Sequence, residues 1–133
     1  MALRHHNYGY QRVVDLSYEE AVARVTETLK KEGFGVLTEI DVKEALKKKL
    51  GIDMQRYIIL GACNPPFAHQ ALQAEEEISL LLPCNVIVYE NKAGKTVISA
   101  MDPEAVLKLV ENPTVGPVAK EVTMRLTRAL EAV

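Results

Sequence analysis

The sequence predicts an α+β domain of two layers, a mainly antiparallel sheet in β-α-β4-α order with extra short helices. Three observations carry that reading. Short stretches of two-residue alternation or unbroken apolar character recur along the chain, as strands require. Two longer stretches, residues 17–33 and 117–133, repeat their apolar residues at the helical spacing of three and four. Only turns or short surface helices separate the later strands, which favours antiparallel neighbours with the two long helices on one face.

Residues 7–15 (NYGYQRVVD) set Tyr8, Tyr10, Arg12 and Val14 against Gly9, Gln11 and Val13, the pattern of a strand with one packed face. Ser17 with Glu20 forms a capping box, in which the hydroxyl meets a free backbone N–H and the carboxylate reaches back. The helix it opens presents Val22, Val25 and Leu29 to a core, and Gly33 supplies a left-handed exit. Residues 34–40 alternate through Phe34, Val36, Thr38 and Ile40 as a second strand. Asp41 caps a short helix through Leu50, closed by Gly51, whose narrow apolar stripe places it on the surface.

Residues 55–62 contain Tyr57-Ile58-Ile59-Leu60 without alternation, which predicts a strand covered on both faces near the middle of the sheet. Pro65-Pro66 suits a helix entry, because a first turn has no use for the missing donor. That helix runs to Ala74, and Glu75-Glu76-Glu77 reads as its solvated end. Residues 85–90 form another apolar strand, Lys92-Ala93-Gly94-Lys95 a hairpin turn, and residues 96–101 the returning strand. Asp102-Pro103 starts a short helix that ends near Val110. Asn112-Pro113 breaks the chain, and Pro117 begins the final helix, with Ala119, Val122, Leu126, Ala129, Leu130 and Val133 along one side.

The 133 residues, with neither repeat nor linker, are expected to form a single domain, 1–133. A net charge of -2 gives no electrostatic case for nucleic acid or an anionic membrane. No apolar run approaches the ~18 residues that span a bilayer, and the N-terminus lacks a signal-peptide core, so a cytoplasmic location is expected. Both cysteines are then reduced thiols. His5-His6 is expected to lie on a frayed terminus and makes no case for a metal.

Candidate chemistry concentrates where strands meet loops. Gly61-Ala62-Cys63-Asn64-Pro65 and Pro83-Cys84-Asn85 each place a Cys-Asn pair at a strand end. Turn and packing roles explain these residues: Cys as a small hydrophobe, Asn for the turn, Pro for the helix start. Placed before a helix N-terminus, Cys63 would also favour a thiolate, although Pro65 and Pro66 remove donors. Cys63, His69 and Cys84 supply soft or borderline ligand types without any recognised metal spacing, so neither a metal nor a cofactor is expected. Tyr8, Tyr10, Tyr57 and Tyr89 either pack in the core or line a cavity under the sheet.

The motifs G-A-C-N-P, A-x-x-A-L, L-L-P-C-N-V-x-V-Y-E, a glycine hairpin and D-P together resemble the domain-of-unknown-function 302 family from about Tyr10 to Val133. The resemblance implies a TATA-box-binding-protein-like fold with a curved antiparallel sheet, and no assigned activity. The leading functional expectation is a small-ligand-binding module. Its pocket lies between the curved sheet and the C-terminal helix, rimmed by Cys63, Asn64, Pro65, Cys84 and Asn85. The alternatives are thiol redox or metal chemistry at Cys63 and Cys84, and a homodimeric structural module without a ligand.

Overall fold

The computed structural model describes residues 2–133. The strands are β1 (Arg4–His6), β2 (Gly9–Val14), β3 (Gly35–Asp41), β4 (Tyr57–Cys63), β5 (Cys84–Glu90) and β6 (Thr96–Met101). They form one sheet in the order β1-β2-β6-β5-β4-β3, every neighbour antiparallel. The helices are α1 (Tyr18–Lys31), α2 (Val42–Leu50), α3 (Pro65–Ala74), α4 (Pro103–Leu107) and α5 (Val115–Glu131). This is an α+β fold of two layers, with α1 and α5 on the same face of the sheet.

Register divides the sheet's side chains between two faces. Val86, Val88, Ile98, Ala100, Leu60 and Ala62 point to the helices, where they meet Val25 and Leu29 of α1 and Leu126 and Leu130 of α5. Each such leucine removed from water contributes about 1.5–3 kcal/mol. Gln11, Ser99, Ile87 and Ile59 lie in one row of the opposite face, and Val13, Val97, Tyr89 and Tyr57 in the next. That second face is not covered by α1 or α5.

Local chemistry fixes the elements. The capping box of α1 forms at 3.1 Å from the Glu20 N–H to Ser17 Oγ, with the Glu20 carboxylate returning to the Ser17 N–H. The exit residue Gly33 takes φ +90, a region open to glycine. Helix α2 starts on Asp41 and ends on left-handed Gly51 without burying a residue. Asp102 caps α4 by accepting the Glu104 and Ala105 N–H groups on Oδ1, and its second oxygen lies 2.8 Å from His5 Nε2. At the far end of α5, Arg12 Nη1 donates to the carbonyls of Leu130, Glu131 and Val133, tying β2 to the end of the helix. Among the described residues no helix is long and apolar enough to cross a membrane.

Four expectations require correction. His5 and His6 are not frayed: they belong to β1, held by its pairing with β2, by the Asp102 contact and by the stacking of His5 on Tyr10. The alternation in β3 does not share one face, because an irregularity between Val36 and Thr38 reverses its phase. Phe34 and Val36 therefore join the core, while Thr38 pairs with Gly61 and joins the open face. Strand β4 is next to the edge strand and only half-buried at Ile59, since α1 and α5 lie on one side alone. Helix α5 begins at Val115, before Pro117, because Asn112 turns the chain by accepting the Thr114 N–H on its side chain and the Val115 N–H on its carbonyl. Pro117 then occupies the first turn, where its absent donor costs nothing.

Candidate functional site

The first Cys-Asn motif and Cys84 do come together. Ala62 is the register partner of Cys84, so Cys63 at the end of β4 and Cys84 at the start of β5 reach the same corner of the sheet. Cys63, Asn64 and Cys84 line a cavity with Phe34, Phe67 and Val118. Its volume is about 40 Å³. That admits water-sized occupants, whereas an engineered cavity that takes benzene measures about 150 Å³. Pro65 stands apart, exposed on the first turn of α3.

Electrostatics keep both thiols protonated. Burial, and then the neighbouring Cys63, push Cys84 up to about 12. Burial alone raises Cys63. The nearby helix start offers no compensation, because Pro65 and Pro66 lack the N–H groups that would stabilise a thiolate. His69 is exposed on α3, and among the described residues no three His, Cys, Asp or Glu side chains gather around a common point.

Asn64 has a definite structural task. It precedes α3 yet makes no cap bond with its side chain. Its Nδ2 instead donates to the Glu32 carbonyl at 3.2 Å, fastening the end of α1 to the β4–α3 junction. A Cβ on Gly33 would stand 3.0 Å from that nitrogen, so the glycine serves both the turn and the close approach. Arg125 Nη1 reaches the same carbonyl at 3.3 Å, with its guanidinium over Phe67. Because this acceptor retains a partner, Asn64→Ala is expected to lower stability by only about 1 kcal/mol, read as a shift in urea midpoint.

Asn85 is elsewhere. Adjacent residues of a strand point to opposite faces, so Cys84 enters the core while Asn85 projects from the open face. It joins a groove of about 440 Å³. The floor runs from Gly9, Met101 and Asn85 through Gln11, Ser99 and Ile87 to Tyr57 and Tyr89. The hairpin between β1 and β2 supplies one wall, His6 and Tyr8 in an edge-to-face pair. Gly9 must be small: a Cβ there would lie 2.8 Å from the Ala100 carbonyl oxygen.

Two tyrosines of this groove support each other. Tyr57 and Tyr89 stack with centroids 5.3 Å apart. Burial first, then the phenols of Tyr89 and Tyr8, raise the Tyr57 pKa, so it keeps its proton. Gln11 Nε2 donates to the Tyr89 hydroxyl at 3.1 Å, leaving that O–H free to donate onward. Gln11 and Ser99 were not among the sequence candidates. Their signal is positional: each is a polar residue in an otherwise apolar or aromatic row, and only the strand register brings the rows together.

A larger cleft of about 540 Å³ lies between α4 and the start of α5. It contains no aromatic side chain, and its buried carboxylate, Asp102, is already engaged by two N–H groups and His5.

Comparison with known proteins places this geometry in context. The profile of a family described as "Domain of unknown function DUF302" matches residues 10–133. The chain is also similar to the crystal structure of an uncharacterized conserved DUF302 protein from Bacillus stearothermophilus. The two are 32% identical, with a TM-score of 0.87 over 93% of this chain and 96% of the other. No curated protein matches the chain.

Proposed function

The chain belongs to the DUF302 family, and we propose that it is a small-molecule-binding module whose ligand lies in the groove on the open face of the sheet. One observation carries this reading. Aromatic and polar side chains from β2, β4, β5 and β6 converge on a space of about 440 Å³, within the ~300–1,000 Å³ of small-ligand pockets. The cavity between the sheet and α5, at about 40 Å³, supports packing better than ligand binding. Of the five rim residues read from the sequence, Asn85 serves the groove, whereas Cys63, Asn64 and Cys84 serve the corner that holds α1, α3 and α5 together.

Shift mapping with metabolite mixtures tests the proposal. Backbone amides of Gly9, Gln11, Asn85, Ile87 and Ser99 are expected to move, and Tyr89→Ala to weaken the response at least about tenfold, the effect of losing one buried aromatic contact. Shifts confined to Cys63, Asn64 and Phe67, or no shift with any mixture, would sink it.

A further inference from the structure

We infer that the groove selects an uncharged aromatic ring compound with a hydroxylated or amide-bearing tail, a nucleoside being the simplest example. This rests on the groove being the binding site. Three features of its lining point to that class. First, it contains no Asp, Glu, Lys or Arg. Its histidine uses Nδ1 to accept the Tyr8 N–H, at 3.4 Å. An anionic ligand entering here would give up hydration without finding a counter-charge, and the chain's net charge of -2 opposes it further.

Second, aromatic surface collects at one end. Tyr57 and Tyr89 form a stacked pair there, four residues along the strands from the row of Gly9, Met101 and Asn85. Flat rings are held well by such a wall through offset stacking or edge contacts. Third, uncommitted polar capacity collects at the other end. Among the described residues the Asn85 amide has no hydrogen-bond partner, so its donors and acceptor are open to a ligand. Asn85 and Tyr89 are four residues apart on the same face of β5, about 13 Å along an extended strand. A ligand that satisfies both ends is therefore longer than a single ring and polar at its tail.

Adenosine and riboflavin, each compared with its own 5′-monophosphate, test the inference by shift mapping and, for the flavins, by fluorescence. At least one neutral compound is expected to perturb Asn85, Tyr89 and Gln11, with its phosphate bound at least about tenfold more weakly. Asn85→Lys, an exposed position that leaves the core untouched, is expected to narrow or reverse that preference by placing a cation in the groove. Phosphates bound as tightly as the neutral compounds by the native protein would overturn the inference, as would failure of both neutral compounds to bind. If metabolite mixtures still shift the groove in that case, the binding site stands and only its ligand class is wrong. If nothing shifts it, the binding site falls as well.

Discussion

Leu60→Ala is expected to destabilise the protein by about 3 kcal/mol, within the ~2–5 kcal/mol of fully buried leucine truncations. Leu60 is 0% exposed, facing the helices from β4 in the cluster that contains Val86 and Leu126. Neighbours on every side leave little room for collapse into the space vacated. Ile59, one residue earlier, points to the open face and is only half-buried. Ile59→Ala is expected to cost about 1 kcal/mol, because part of that side chain already meets water. Urea denaturation of both variants reads the difference as a displaced midpoint with unchanged slope. Equal losses would mean that both faces of β4 are covered, and the groove could not then be open.

The same two residues show where the sequence stops speaking. Tyr57-Ile58-Ile59-Leu60 is apolar throughout, so its pattern cannot distinguish a strand buried on both faces from one whose second face is a binding surface. Elements governed by local chemistry were legible: the Ser17–Glu20 box, the Asp41 and Asp102 caps, and the Gly94 hairpin all appear where their residues predict them. Features governed by register were not. The phase reversal within β3 and the opposite faces of Cys84 and Asn85 depend on which residue sits across the ladder. Strand β1 escaped notice because three residues make a weak pattern and its support, Asp102, is 97 positions away from His5.

This explains why matching Cys-Asn pairs suggested one shared rim, whereas Cys63, Asn64 and Cys84 share a corner and Asn85 lies on the opposite face. The pairs are alike as local turns, and local likeness says nothing about face. Asn64 turns inward to the Glu32 carbonyl, and Asn85 turns outward to the groove. The open face can bear Gln11, Asn85 and Ser99 because the stability of the sheet comes from its other side, where α1 and α5 cover it. Polar residues on the floor of a groove then carry little folding penalty.

Raising the pH from 8 to 12 is expected to remove stability on the order of 4 kcal/mol through Cys84 alone, if its whole shift is realised. The sign follows from where the proton is lost first. In the unfolded chain this thiol ionises near its ordinary value of 9.0; in the folded protein burial and Cys63 hold it up to about 12. Below 9 both states keep the proton and the thiol exerts no pH dependence. Between 9 and 12 only the unfolded state releases it, so unfolding gains about 1.4 kcal/mol per pH unit; above 12 the effect levels off. Tyr10, Tyr18 and Tyr57 also have raised values and add alkaline sensitivity of the same sign. Cys84→Ala separates the contributions: its stability at pH 8 falls through the lost packing, but its loss between pH 9 and 11 is expected to be distinctly shallower. Parallel pH profiles for the two proteins would show that Cys84 ionises as readily folded as unfolded, and with that result the thiol, rather than the groove, would again be the place to look for chemistry.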